Sequence, residues 1–314
     1  MIISGGGLKG IAFLGTLECL QRKDNLDFRS IETFAGSSVG SILSVLLVCG
    51  FSVAEIFKIV HDTNLRDLVD FDLSKITKLY GVESGYKLMK RFREEFEKKK
   101  IDPDITLEEL HEKTGRRLII TVSCIGKGVK YFDYKNEPSL SVLLAVRMSI
   151  GIPLFLTAVK YKGDYYVDGG VLDNVPIKAL SQYAPDTVLT LRTTSSAMVG
   201  DEEVSINSFE DYIWMLGSTI FNEIEQLRES DYQEHRDNSI VVPIKEHPSI
   251  DITNDEKKEL IKQGYVAAKE YLNSYTYFQM CMTALPFDIY TKIWQYYHSK
   301  TYTNTLSEIR KLLE

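Results

Sequence analysis

Positive charge is in the minority here: 37 Lys and Arg stand against 44 Asp and Glu, a formal net charge of -7. A protein that neutralises a long run of phosphates needs the opposite balance, so nucleic-acid binding is not expected. Cysteine is sparse as well. Cys19, Cys49, Cys124 and Cys281 lie far apart in apolar surroundings with no C-x-x-C pair, which reads as free thiols in a reducing compartment. The five histidines are isolated, and neither H-E-x-x-H nor an Asp-rich EF-hand loop occurs, so no metal site is expected. Long hydrophobic runs are missing too. The longest, VGSILSVLLVCGF from residue 39, is about a dozen residues, well short of the ~20 that span a bilayer. The opening MIISGGG lacks the basic and apolar segments of an export signal, and a cytoplasmic location is expected.

The rest is ordinary globular material, 44% hydrophobic, enough for a large core. Residues 1–4 read as a buried strand, 10–22 as a helix, 31–36 as a second strand and 39–49 as an apolar helix. RRLIITVSCI, DYYVDGG, DTVLTLRT and SIVVPI add further strands. Short apolar strands alternating with helices imply an α/β fold, a mostly parallel central sheet with helices on both faces. Residues 84–100 read as an amphipathic surface helix whose basic face is diluted by Glu94, Glu95 and Glu97, which weakens a membrane-binding reading. The acidic stretch 193–207 reads as a loop ahead of a helical pattern running to Leu227, and 255–272 as a helix closing a domain over 1–274. The aromatic-rich 275–314 reads as a helical C-terminal extension of unassigned role.

Two glycine motifs carry the chemistry. Gly5, Gly7 and Gly10 satisfy G-x-G-x-x-G after a strand, the pattern that cradles a dinucleotide pyrophosphate. That reading needs an acidic residue at the end of the second strand, where the sequence instead has Phe34-Ala35-Gly36 and leaves Glu32 at the wrong end. Residues 36–40, GSSVG, satisfy G-x-S-x-G between strand and apolar helix. This is the setting of a nucleophile elbow, with Ser38 raised at a helix N-terminus. Loops after neighbouring parallel strands share a sheet edge, so the triple glycine faces Ser38, and its amides suit a developing oxyanion. No dinucleotide, and no other cofactor, is expected.

A serine needs a base. YYVDGGVLDNVP, residues 165–176, offers a strand ending in Asp168, two glycines to turn the backbone, Asn174 to fix the turn and Pro176 at a helix start. Asp173 in the same loop reads as a turn residue.

GGGLKG, GSSVG and DGG in this order resemble the patatin-like phospholipases, lipid acyl hydrolases that work with a Ser-Asp dyad; SIGIPLFLTAV at 149–159 is similar to that family's segment before its aspartate. The resemblance spans roughly residues 1–195. It implies Ser38 as nucleophile, Asp168 as general base, and Gly5, Gly6 and Gly7 as the oxyanion hole. Lys9 matches the family's basic loop position, Gly10 closes that loop, Gly36 and Gly40 frame the elbow, and Gly169 and Gly170 shape the aspartate turn. It further implies calcium-independent cleavage of phospholipids or other acyl lipids, transient contact with membranes, and the option of delivery into another cell. Two rivals stay open: an α/β-hydrolase-type esterase using His235 or His247 in a triad, and a silent lipid- or protein-binding module.

Overall fold

A computed structural model describes residues 1–22, 26–69, 72–195, 206, 209–228, 232, 238–244 and 250–284. Most of the acidic stretch 193–207, His235, His247 and the tail beyond residue 284 lie outside the described residues. The elements run, in order, β1 (Ile2–Ile3), α1 (Ala12–Arg22), β2 (Thr33–Ser37), α2 (Val39–Val48), α3 (Val53–His61), α4 (Ile76–Leu79), β3 (Gly81–Glu83), α5 (Tyr86–Lys98), α6 (Leu107–Thr114) and β4 (Arg117–Cys124). They continue with β5 (Gly128–Phe132), α7 (Val142–Ser149), β6 (Leu154–Leu156), β7 (Val159–Tyr161), β8 (Asp164–Asp168), β9 (Thr190–Ser195), α8 (Phe209–Leu227), β10 (Ser239–Ile244) and α9 (Asn254–Ala284). Two compact units result, Met1–Ala268 and Lys269–Glu314. α9 runs unbroken through residue 274.

The main sheet has the order β10-β9-β1-β2-β4-β8-β7, with β5 also on β4. β10, β9, β1, β2 and β4 are parallel neighbours, which matches the mostly parallel sheet expected from the alternation of elements. Such a sheet buries its strands on both faces, and accordingly Ile2, Ile3, Phe34 and Ala35 are wholly buried. α2 (VGSILSVLLV) is apolar almost all round because it lies inside the layers and packs on β2. α5 has the amphipathic pattern read from the sequence: Phe92 and Phe96 are buried, and buried Glu95 pairs with Arg91 at 2.8 Å and Lys98 at 2.8 Å. α3 and α6 begin with S/T-x-x-E capping boxes, Ser52–Glu55 and Thr106–Glu109.

β8 departs from the expected pattern. It runs antiparallel to both β7 and β4, and on β4 it meets just the overhanging end, Val122 to Asp168 and Cys124 to Tyr166. Thr121 of β4 is level with Ser37 of β2. The chain therefore re-enters the sheet edge from outside, and Asp168 stops one residue beyond the level of Ser37. A parallel strand would have climbed to the same edge from within.

Candidate active site

Ser38 sits between β2 and α2 with φ 51° and ψ -126°, a conformation that costs a non-glycine residue of order 1–3 kcal/mol. Close approach makes the elbow possible. A Cβ on Gly40 would lie 2.0 Å from the Ile3 carbonyl oxygen of β1, so only glycine lets the helix start so near the strand. The strained turn aims the serine hydroxyl at the C-terminal edge of the sheet, at the positive end of α2.

There Ser38 Oγ donates a 2.7 Å hydrogen bond to Asp168 Oδ2. Both residues are buried, 7% and 3% exposed. Asp168 Oδ1 accepts from the Gly170 N–H at 2.7 Å, and its own N–H donates to the Gly151 carbonyl at 2.9 Å, so the carboxylate is fixed at both ends. Burial pushes its pKa up to about 7, against the smaller lowering effect of the bonds from Ser38 and Gly170. A carboxylate with that basicity can receive a proton from a hydroxyl at neutral pH.

Ser149, the last residue of α7, is a site residue that sequence reasoning did not single out. Its Oγ accepts the Ser38 N–H at 3.0 Å and donates to the Thr121 carbonyl at 2.7 Å. The hydroxyl thus ties the elbow's backbone to β4. The available signal was a serine closing the apolar helix VLLAVRMS, where a buried hydroxyl has to find partners.

The glycine loop abuts the Ser38–Asp168 pair. A Cβ on Gly5 would lie 3.1 Å from Ser38 Cβ and 2.2 Å from Asn174 Oδ1. The Gly5 N–H donates to the Asn174 carbonyl at 3.0 Å, which removes that amide from the set able to face a ligand. Gly5 is therefore a packing residue that joins this loop to the Asp168 turn. For the N–H groups of Gly6 and Gly7 no acceptor is found among the described residues. Gly7 has φ 53°, left-handed backbone that suits glycine, and it opens the short 3-10 turn Gly7–Ile11 that carries half-buried Lys9. A Cβ on Gly10 would meet Val39 Cγ1 at 2.4 Å, and one on Gly36 the Gly40 carbonyl at 2.4 Å. Gly169 lies as tightly against the Thr121 carbonyl, and Gly170 beside Asp168 Oδ1.

The other candidates lie elsewhere. Asp173 is buried but locked by Arg228 Nη1 at 2.8 Å and by the Tyr131 hydroxyl, which makes it a fold-holding carboxylate. His61 pairs with Asp62, and His111 stacks on Tyr134. Among the described residues, no group of three His, Cys, Asp or Glu side chains is placed to hold a metal ion.

A model of the Patatin-like phospholipase family matches residues 1–181, a span that holds both glycine motifs, Ser38 and Asp168. The chain belongs to the patatin-like phospholipase family. Among similar proteins, "Probable lipid hydrolase 463L" of Invertebrate iridescent virus 6 is 33% identical over 192 residues, which is 58% of this chain and 63% of that protein. The match therefore covers less than two thirds of that relative's length. "Uncharacterized protein R571" of Acanthamoeba polyphaga mimivirus is 28% identical over 284 residues, 87% of this chain and 93% of its own. In structure, VipD from Legionella pneumophila superposes with a TM-score of 0.60 at 17% identity, over 87% of this chain and 66% of VipD. The type III effector protein ExoU superposes at 0.50 and 14%, over 87% of this chain and 52% of its own. At such identity these two speak for the fold alone.

Proposed function

We propose that this patatin-like protein is a lipid acyl hydrolase in which Ser38 and Asp168 form the catalytic dyad. The observation that carries the reading is the buried 2.7 Å hydrogen bond from Ser38 Oγ to a carboxylate whose pKa is raised to about 7. Family membership supports an acyl-lipid substrate, a phospholipid or another glycerolipid met at a membrane surface.

Ser38 Oγ attacks the ester carbonyl carbon while its proton passes to Asp168 Oδ2. The carbonyl π electrons move onto oxygen, and the resulting oxyanion is held by the Gly6 and Gly7 amides with the N-terminus of α2 behind them. Collapse breaks the bond to the alcohol oxygen, which leaves with the proton from Asp168. An acyl-enzyme on Ser38 remains. Water then gives a proton to Asp168 and attacks the acyl carbon, and collapse returns that proton to Ser38 Oγ and releases the fatty acid. The carboxylate moves the protons and the amides hold the charge, so the sequence requires no metal, and turnover should be unchanged by EDTA.

Hydrolysis of a fluorogenic acyl ester and of phospholipid in vesicles tests the reading. The parent should turn over both and Ser38→Ala neither. Equal rates would favour a silent binding module.

A further inference from the structure

The sheet edge that carries the dyad also carries a rim of exposed apolar side chains. β4 extends past the level of Ser37, and β8 pairs with that overhang. Ile125, just beyond β4, donates its N–H to the Tyr165 carbonyl at 2.9 Å. Tyr165 is three residues before Asp168 on β8, so the pair stands roughly 10 Å outward of the dyad at ~3.3 Å per residue. The Tyr80 ring packs edge-on against Tyr165, 5.9 Å between centroids. Leu154 of β6 is level with Gly81 of β3, next to Tyr80, and Leu79 precedes it. These five residues, Leu79, Tyr80, Ile125, Leu154 and Tyr165, are between 36% and 59% exposed.

Two of them also sit in strained backbone. Tyr80 has φ 62° and Leu154 φ 68°, the left-handed region that glycine or asparagine occupies at little cost and bulky side chains rarely adopt. Strain that places a large apolar side chain in solvent has no return in core packing, and it points to use at the surface.

We propose that this rim seats the protein on an anionic lipid bilayer, with the dyad's sheet edge turned to the membrane; as a docking surface for the substrate, this rests on the acyl-hydrolase reading above. Charge selects the bilayer. The chain as a whole is acidic at -7, yet the rim is flanked by cations: Lys160 Nζ lies 5.6 Å over the Tyr165 ring, Lys78 is exposed beside Leu79, and Lys127, paired with Asp164 at 2.7 Å, comes two residues after Ile125. Tyrosine supplies an apolar ring with a polar tip, the chemistry that settles at head-group depth, and nearby lysines meet anionic head groups.

The test uses the full chain carrying Ser38→Ala, so that binding is read without turnover. It is sedimented with vesicles of phosphatidylcholine alone and of phosphatidylcholine with one-fifth phosphatidylserine. Binding should strengthen with phosphatidylserine and fall at least tenfold in Tyr80→Asn/Leu154→Asn/Tyr165→Thr, where asparagine suits the left-handed positions. Lys160→Glu should weaken the phosphatidylserine dependence, and Val266→Ser, an exposed apolar site outside the rim, should change nothing. With Ser38 restored, the triple variant should hydrolyse a short soluble ester at the parental rate and vesicle lipid at least tenfold more slowly; parental soluble-ester turnover also reports intact folding. Equal sedimentation of parent and triple variant would overturn the inference. So would failure of the parent to bind, or a parental dimer that the triple variant dissociates, since the rim would then cover a second copy. Absence of ester hydrolysis with rim-dependent vesicle binding would defeat the hydrolase reading and leave the docking surface standing.

Discussion

Ser38 and Asp168 are 130 residues apart in the chain, yet Ser38 Oγ rests 2.7 Å from Asp168 Oδ2. Four hydrogen bonds hold the pair: Ser38 N–H to Ser149, Ser149 to Thr121, Gly170 N–H to Asp168, and Asp168 N–H to Gly151. Two strands of opposite direction are thereby brought to one level at the sheet edge, and the proposed chemistry depends on that register.

Asp168→Asn should trade activity for stability. The native carboxyl keeps its proton up to about pH 7, whereas an unfolded aspartate releases it near pH ~4. Between those values the native state binds more protons than the unfolded state, so this group's contribution to stability falls as pH rises and stays low above 7. The full penalty is of order 4 kcal/mol. Thermal melts should put the variant above the parent at pH 8, with the gap closing towards pH 4, while ester turnover drops by about 10²–10⁴. A variant less stable than the parent at pH 8 would count against a buried charged base.

Ser149→Ala leaves the Ser38 N–H buried without its acceptor, at about 1–3 kcal/mol. Because Ser149 meets only the elbow's backbone and β4, it is a positioning residue. Its loss should lower kcat about tenfold with KM little changed, and Ser149→Thr should recover part of the rate if the methyl fits. An unchanged kcat would remove Ser149 from the site.

Gly5→Ala should impair catalysis through crowding. The new methyl would lie 2.2 Å from Asn174 Oδ1, closer than real Cβ contacts reach, and a tight 3.1 Å from Ser38 Cβ, so the Asn174 side chain must give way and Ser38 must shift by a few tenths of an ångström. Turnover should fall by about tenfold or more, since small displacements at a reacting centre are costly. Circular dichroism should still report a folded chain.

His235→Gln and His247→Gln, singly and together, should leave ester turnover at the parental level, because the proposed dyad takes its base from Asp168. Loss of activity in either variant would restore the triad reading.

Much of this site was legible in the sequence because its parts are local. G-x-S-x-G between a strand and the apolar run VGSILSVLLV specifies the elbow through backbone crowding, and a triple glycine after a strand announces exposed amides. Asp168 was legible as a strand end next to two glycines. The antiparallel entry of β8 was not, since strand direction is set by how the short hairpin β7–β8 folds back, and alternation of apolar residues is blind to direction. Ser149 and the engagement of the Gly5 amide were hidden for a related reason: each depends on a hydrogen-bond partner distant in sequence, Thr121 for one and Asn174 for the other. The small β3–β6 sheet, with three residues per strand, is too short to show periodicity at all.

The most direct test is the rate at which a fluorophosphonate labels Ser38, read by peptide mass spectrometry from pH 5 to 9 in the parent, in Asp168→Asn and in His235→Gln/His247→Gln. With Asp168 as the base, labelling at Ser38 should rise with pH through an apparent pKa near 7, persist in the histidine variant and fall at least a hundredfold in Asp168→Asn. Labelling of Ser38 at an equal rate in parent and Asp168→Asn, or modification at another serine, would contradict the dyad.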